Sequence, residues 1–324
     1  MLSRVAERIY WLGRYMERTE NTARLINVNS NLLLDLPKGT HIGWTTLIDI
    51  LGCHEEFTNK DIKNEELGIL RFLLSDNSSP VSILFSLRMA RENARTTREI
   101  IPTEAWELIN DTYLFAKENA SKSAGRGSRT RFLKHIAERS QQLTGLLAGA
   151  MSHTSAYEFI RLGRNLERTD MTTRIIDVGS VNLITNNRTS KGDGSKEESN
   201  DPFISILWMS VLQSLSAYQM YRQHVQDRVN GEDVVMFILQ NPDFPRSVAS
   251  CLAQLVVCLN KLPSAEAALR SVAAAQRRIH AADIVDILAT SKLHDFIDTV
   301  QMDIASIHQD VAATWFLPVA MESA

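Results

Sequence analysis

The chain has 324 residues, 44% hydrophobic and 23% charged, with a formal net charge of −3. That length accommodates one large domain or two of ordinary size, and the charge balance lacks the basic excess expected of a nucleic-acid partner. Only 14 glycines and 8 prolines interrupt the chain, which suits long helices and disfavours many short strands joined by tight turns.

In chain order, the first predicted element is a helix over residues 3–31. Val5, Ile9, Leu12, Met16, Ala23 and Ile26 recur at helical spacing, and Ser3 is placed to cap it. The same habit runs over 82–100, behind Pro80, and over 103–119, behind Pro102. Proline at a helix start forfeits no hydrogen bond, because the first-turn N–H groups have no intrahelical acceptor. A further helix is predicted over 128–150. The polar stretch NNRTSKGDGSKEESND, residues 186–201, holds almost no apolar side chain and reads as a mobile loop. The apolar run over 203–212 is broken by Ser205 and Ser210 and is too short to cross a membrane. Cys251 and Cys258, seven apart, share one face of an apolar helix and are predicted core. A last long helix is predicted over 265–289. With Cys53 the cysteines number three and form no disulfide framework; together with the lack of a signal pattern this predicts a cytoplasmic protein.

A repeat underlies these elements. Residues 12–27, LGRYMERTENTARLIN, match residues 162–177, LGRNLERTDMTTRIID, at a constant shift of 150. Pro80-Val81-Ser82 likewise matches Pro245-Arg246-Ser247. The expected architecture is therefore all-α, a helical bundle built from two tandem related halves, 1–150 and 151–324.

On a helical wheel Arg14, Glu17, Arg18 and Asn21 share a face opposite Val5, Leu12, Met16 and Ala23. The second copy supplies Arg164, Glu167 and Arg168. Three readings are open. The charges form an exposed network worth about 0–1 kcal/mol per pair; or they are buried between the halves, satisfying one another and fixing register; or the arginines face one cleft and grip a carboxylate or phosphate in bidentate fashion. Gly13 and Gly163 recur inside these helices, although glycine there costs about 1 kcal/mol against alanine. Close approach of a second helix is the physical reason expected. Arg91, Glu92 and Arg95, within ARENAR, mix the same charges at helical spacing and are candidates to line the same cleft.

At these residues the sequence resembles a known family. MLSRVAERIYWLGRYMERTENTARL (1–25), FIRLGRNLERTDMTTRII (159–176), the segment 79–110 and NPDFPRSV (241–248) are similar to the bacterial alpha-E proteins, which carry a Glu-Arg motif on a predicted α-helical domain. The motif falls on Glu17-Arg18 and Glu167-Arg168. The resemblance implies company with circularly permuted ATP-grasp ligases and transglutaminase-like peptidases, hence an accessory or binding part in a peptide ligation and cleavage system. The alternative it leaves open is an enzyme of amide or peptide metabolism that uses Glu17 or Glu167 with the motif arginines.

Other chemistry is weakly signalled. No phosphate-binding Gly-x-x-x-x-Gly-Lys-Ser/Thr loop and no Glu-x-x-His occur. GRGSRTR (125–131) reads as a basic loop before a helix, able to meet an anion there. His280-x-x-Asp283 and His294-x-x-x-Asp298 have one-face spacing but are isolated pairs. No cofactor and no metal is expected.

Overall fold

Ser3 to Asp35 forms one unbroken helix, α1, about 50 Å long at 1.5 Å per residue. It is seen in a computed structural model that describes residues 2–35, 43–190 and 202–316. The first half continues with α2 (Thr46–Leu51), α3 (His54–Asn59), α4 (Glu66–Ser75), α5 (Ile83–Arg95), α6 (Thr103–Asn119), a 3₁₀ turn (Ala120–Ala124) and α7 (Arg126–Ala150). After an extended Met151 comes α8 (Ser155–Ser190). It is followed by α9 (Pro202–Ser214), α10 (Tyr218–His224), α11 (Gly231–Gln240), α12 (Val248–Leu259), α13 (Glu266–Ala281), α14 (Ile284–Ala289) and α15 (Leu293–Trp315). The described residues contain no strand, and none of their helices is long and apolar enough to cross a membrane.

α1 and α8 lie against each other at the centre. α1 also packs on α5 and α7, with α6 joining those two; α8 packs on α12 and α15, with α13 joining them. Shorter helices add to the central pair, α2 on α8 and α9 on α1. The core is contributed by the apolar stripes of all of these. Ile9, Leu12, Ala23 and Ile26 of α1 are buried, as are Ile160, Leu162, Leu166 and Ile176 of α8. Burial of such side chains contributes on the order of 1.5–3 kcal/mol each.

The two proline-led helices begin alike. Ser82 Oγ accepts from the Phe85 N–H, and Ser247 Oγ accepts from the Ser250 N–H, each filling a donor that the helix start leaves open. Each serine also donates six residues back, to the Asp76 and Asn241 carbonyls. Cys251 and Cys258 are fully buried in α12, as their spacing predicts.

Some boundaries differ from the pattern. The helix predicted over 82–100 stops at Arg95, where the hydroxyls of Thr96 and Thr97 turn back to the Glu92 and Asn93 carbonyls. The helix predicted over 265–289 breaks at Ala282, and Asp283 caps α14 by accepting from the Asp286 N–H. GRGSRTR is no loop: Gly125 is the cap, and Arg126 onward is the first turn of α7. Of the loop predicted over 186–201, residues 186–190 continue α8, and 191–201 lie outside the described residues.

Candidate functional site

The two glycines bring the motifs together. A Cβ on Gly13 would collide with the Ile160 carbonyl oxygen, and one on Gly163 with the Tyr10 carbonyl oxygen. Tyr10 and Ile160 are themselves 150 apart, so the two approaches are reciprocal. Glu17 then meets Arg168, and Arg18 meets Glu167. Contact positions rise together along both helices, so α1 and α8 run parallel and in register about a local pseudo-twofold axis. The motif arginines reach across that axis; within each motif the glutamate and its neighbouring arginine do not pair with each other.

Each glutamate takes two arginines. Glu167 accepts from Arg14 Nε at 2.7 Å, and from Arg18 Nε at 2.5 Å and Nη2 at 3.0 Å. Glu17 accepts from Arg168 Nε at 2.9 Å and Nη2 at 2.8 Å, and from Arg246 Nη1 at 2.9 Å. Arg246 also donates to Asn21 Oδ1 and Glu20 Oε1, both at 2.8 Å. Both carboxylates are 2% exposed. Burial alone would raise their pKa values. The guanidinium groups, Arg168 and Arg246 on one side, Arg18 and Arg14 on the other, outweigh it and hold each at about 2. The glutamates in turn push the Arg14 and Arg168 pKa values up, against their own burial.

Aromatic rings close one side of this cluster. Arg14 lies 5.2 Å from the Trp11 ring centroid, and Arg18 lies 5.5 Å from that of Tyr15. The fully buried Tyr10 hydroxyl shares a 2.8 Å hydrogen bond with His308 Nδ1 of α15 and accepts from Arg14 at 3.4 Å. Desolvation pushes its pKa up to about 12. On the far side of α8, Glu158 is fully buried and accepts from Arg161 and Lys261, and Arg161 donates to Gln254.

Of the residues singled out from sequence, Arg14, Glu17, Arg18, Asn21, Glu167 and Arg168 thus belong to one buried arrangement. Arg164 is beside it but is not paired with either glutamate. Arg91, Glu92 and Arg95 stand apart from it: Arg91 donates to Asn110 and lies over Trp106 and Tyr113, while Glu92 and Arg95 form an exposed pair within α5. The pattern reading passed over Arg246. Arg246 occupies the place where the first copy carries the neutral Val81, so the repeat gives no charge there to follow.

The histidine pairs separate. His294 Nδ1 is 2.8 Å from Asp177 Oδ1 of α8, and its Nε2 is 3.7 Å from Asp298. Each ring nitrogen therefore faces a carboxylate, and the hydrogen bond to Asp177 raises the His294 pKa. The hydrogen bond to Asp177 ties α15 to α8. Asp283 is spent as the cap of α14.

A family model described as Alpha-E, "a predicted alpha-helical domain with a conserved ER motif", matches residues 1–316. No curated protein and no solved structure matches the chain.

Proposed function

Because the chain belongs to the Alpha-E family, whose model spans residues 1–316, we propose that it is a non-catalytic accessory protein of a peptide ligation and cleavage system. The two Glu-Arg motifs lock its core. The supporting observation is that Glu17 and Glu167 are each buried and each held by two guanidinium groups. A carboxylate kept ionised down to about pH 2 takes up a proton poorly at neutral pH. Buried at the α1–α8 seam, it is also out of reach of a substrate. These features suit a register-fixing scaffold that presents its outer helices to a partner. They weigh against the alternative, an enzyme that uses Glu17 or Glu167 as base.

The partner class is the one the family resemblance implies, a circularly permuted ATP-grasp ligase or a transglutaminase-like protein. The test is co-purification of the tagged full chain with such a ligase and such a peptidase encoded in the same genome, with and without ATP. Stable capture of either is expected. Failure to retain both overturns the accessory role. ATP or acyl-peptide turnover by the chain alone, abolished by Glu17→Gln in a protein that still folds, would replace it with the enzyme reading.

A further inference from the structure

The two copies of the motif are not used equally. In the first, Arg14 and Arg18 both go to Glu167. In the second, Arg168 goes to Glu17, but the other place on that carboxylate is taken by Arg246. Arg164, the counterpart of Arg14, is displaced. Its Nε is buried without a hydrogen-bond partner, and its guanidinium makes no ion pair among the described residues. The backbone shows the same asymmetry. The Arg14 side chain passes over Gly163, whereas the nearest atoms over Gly13 are backbone atoms of Ile160 and Arg164.

The surroundings of Arg164 are positive. Arg161 and Arg168 lie one turn to either side of it on α8, and burial, reinforced by Arg168 and then Arg161, depresses the Arg164 pKa. The glutamate that acts on it, Glu17, already serves two other arginines. Tyr157, two turns earlier on the same stripe, lies beneath Arg161, and its hydroxyl has no hydrogen-bond partner among the described residues. Arg164 is partly open to solvent. An unpaired, half-buried guanidinium is unfavourable to folding, because desolvation is not repaid by a partner. Ligand sites commonly carry unfavourable arrangements of this kind.

We propose that Arg164, with the Tyr157 hydroxyl beside it, is a binding site for an oxyanion, a carboxylate or a phosphate group, on the α8 face next to the Glu-Arg lock. Arg246 creates the site by taking the place on Glu17 that Arg14 holds on Glu167. The planar guanidinium supplies two parallel N–H donors for such a group. The site is separate from the accessory role. It is read on the chain alone, without a ligase or peptidase, so failure of one leaves the other standing.

The experiment is thermal melting and calorimetric titration of the full chain with sodium acetate and, separately, inorganic phosphate, each against sodium chloride at matched ionic strength. Acetate or phosphate at about a hundred times its Kd should raise the Tm by about 4 °C; which of the two binds more tightly assigns the ligand as carboxylate or phosphate. Arg164→Met should abolish the rise and melt no lower than the parent in chloride, because the removed charge has no partner. Arg164→Lys should retain part of the rise. Arg88→Met, on an exposed position of α5, should leave it unchanged. A rise of equal size in Arg164→Met overturns the site, as does the absence of a rise with either anion. So does an Arg164→Met chain that fails to fold or melts as low as Arg14→Met, since Arg164 would then hold an internal pair.

Discussion

Replacing Glu17 by glutamine removes one charge from the lock and leaves Arg168 and Arg246 facing a neutral amide. Breaking a buried pair in this way costs roughly 3–5 kcal/mol, because Arg168 stays desolvated without a carboxylate partner, while Arg246 keeps Glu20. The titration of Glu17 gives a similar figure. A carboxyl group that ionises at about 2 in the folded chain and at about 4.5 in the unfolded one contributes roughly 3 kcal/mol at neutral pH. With an unfolding entropy of about 2.1 cal/mol/K per residue, the whole chain should lose about 4–7 °C of Tm. The sign in pH follows from the depressed value. The stabilisation is complete above about pH 4.5 and is lost as pH falls toward 2, so the gap between parent and Glu17→Gln should close across that window. Calorimetric melting at a series of pH values between 3 and 7, the lowest accessible before acid unfolding, measures both. A loss below about 1 kcal/mol at pH 7, the range of exposed pairs, would refute the buried-lock reasoning, as would a gap that stays constant with pH.

Gly13→Ala and Gly163→Ala should each lower the Tm, despite alanine's better helix propensity of about 1 kcal/mol, because the added methyl meets a backbone carbonyl that cannot step aside; a stabilised variant, by melting, would contradict the close crossing. Arg18→Met and Arg168→Met act on adjoining pairs across the pseudo-twofold axis, so their combined cost by denaturant titration should depart from the sum of the single costs by more than about 0.5 kcal/mol; simple additivity would mean that the two pairs work apart. All three thiols should react slowly with an aromatic disulfide in the native chain and quickly once it is unfolded, since Cys53, Cys251 and Cys258 are buried and desolvation raises their pKa values, those of Cys53 and Cys258 to about 12; a fast native phase would show that α12 opens if it maps to Cys251 or Cys258, and that the start of α3 opens if it maps to Cys53.

Much of this was legible in the residues. The 3.6-residue rhythm of α1 and the bounds of α6 could be read directly, because Pro102 and the apolar stripe leave little freedom there. The recurrence of Gly13 as Gly163 announced the close crossing, since only a missing Cβ permits it. Three things could not be read. The charges of one motif are equally well placed to pair within their own helix, and only the crossing decides that Glu17 goes to Arg168. Arg246 is remote in sequence and is recruited by the loop before α12, where the Arg168 Nη1 and the Thr172 hydroxyl both donate to that loop's carbonyls. The break between α13 and α14 involves no glycine or proline. It is made by an aspartate cap, Asp283, inside an otherwise helical pattern.

The in-register pairing of α1 with α8 also sets the order in which the molecule can be made. Glu17 is synthesised about 150 residues before Arg168, and at 5–20 residues per second that interval is roughly 8–30 s. During it the nascent α1 has its close-packing groove at Gly13 empty and its inward carboxylate unmatched. Arg246, the second holder of Glu17, follows still later. Helices α5, α6 and α7 can gather on the outer side of α1 in the meantime, since they are synthesised before α8. The inner face must wait for the ribosome to deliver α8, which makes translation through the second motif the step at which the core becomes able to close.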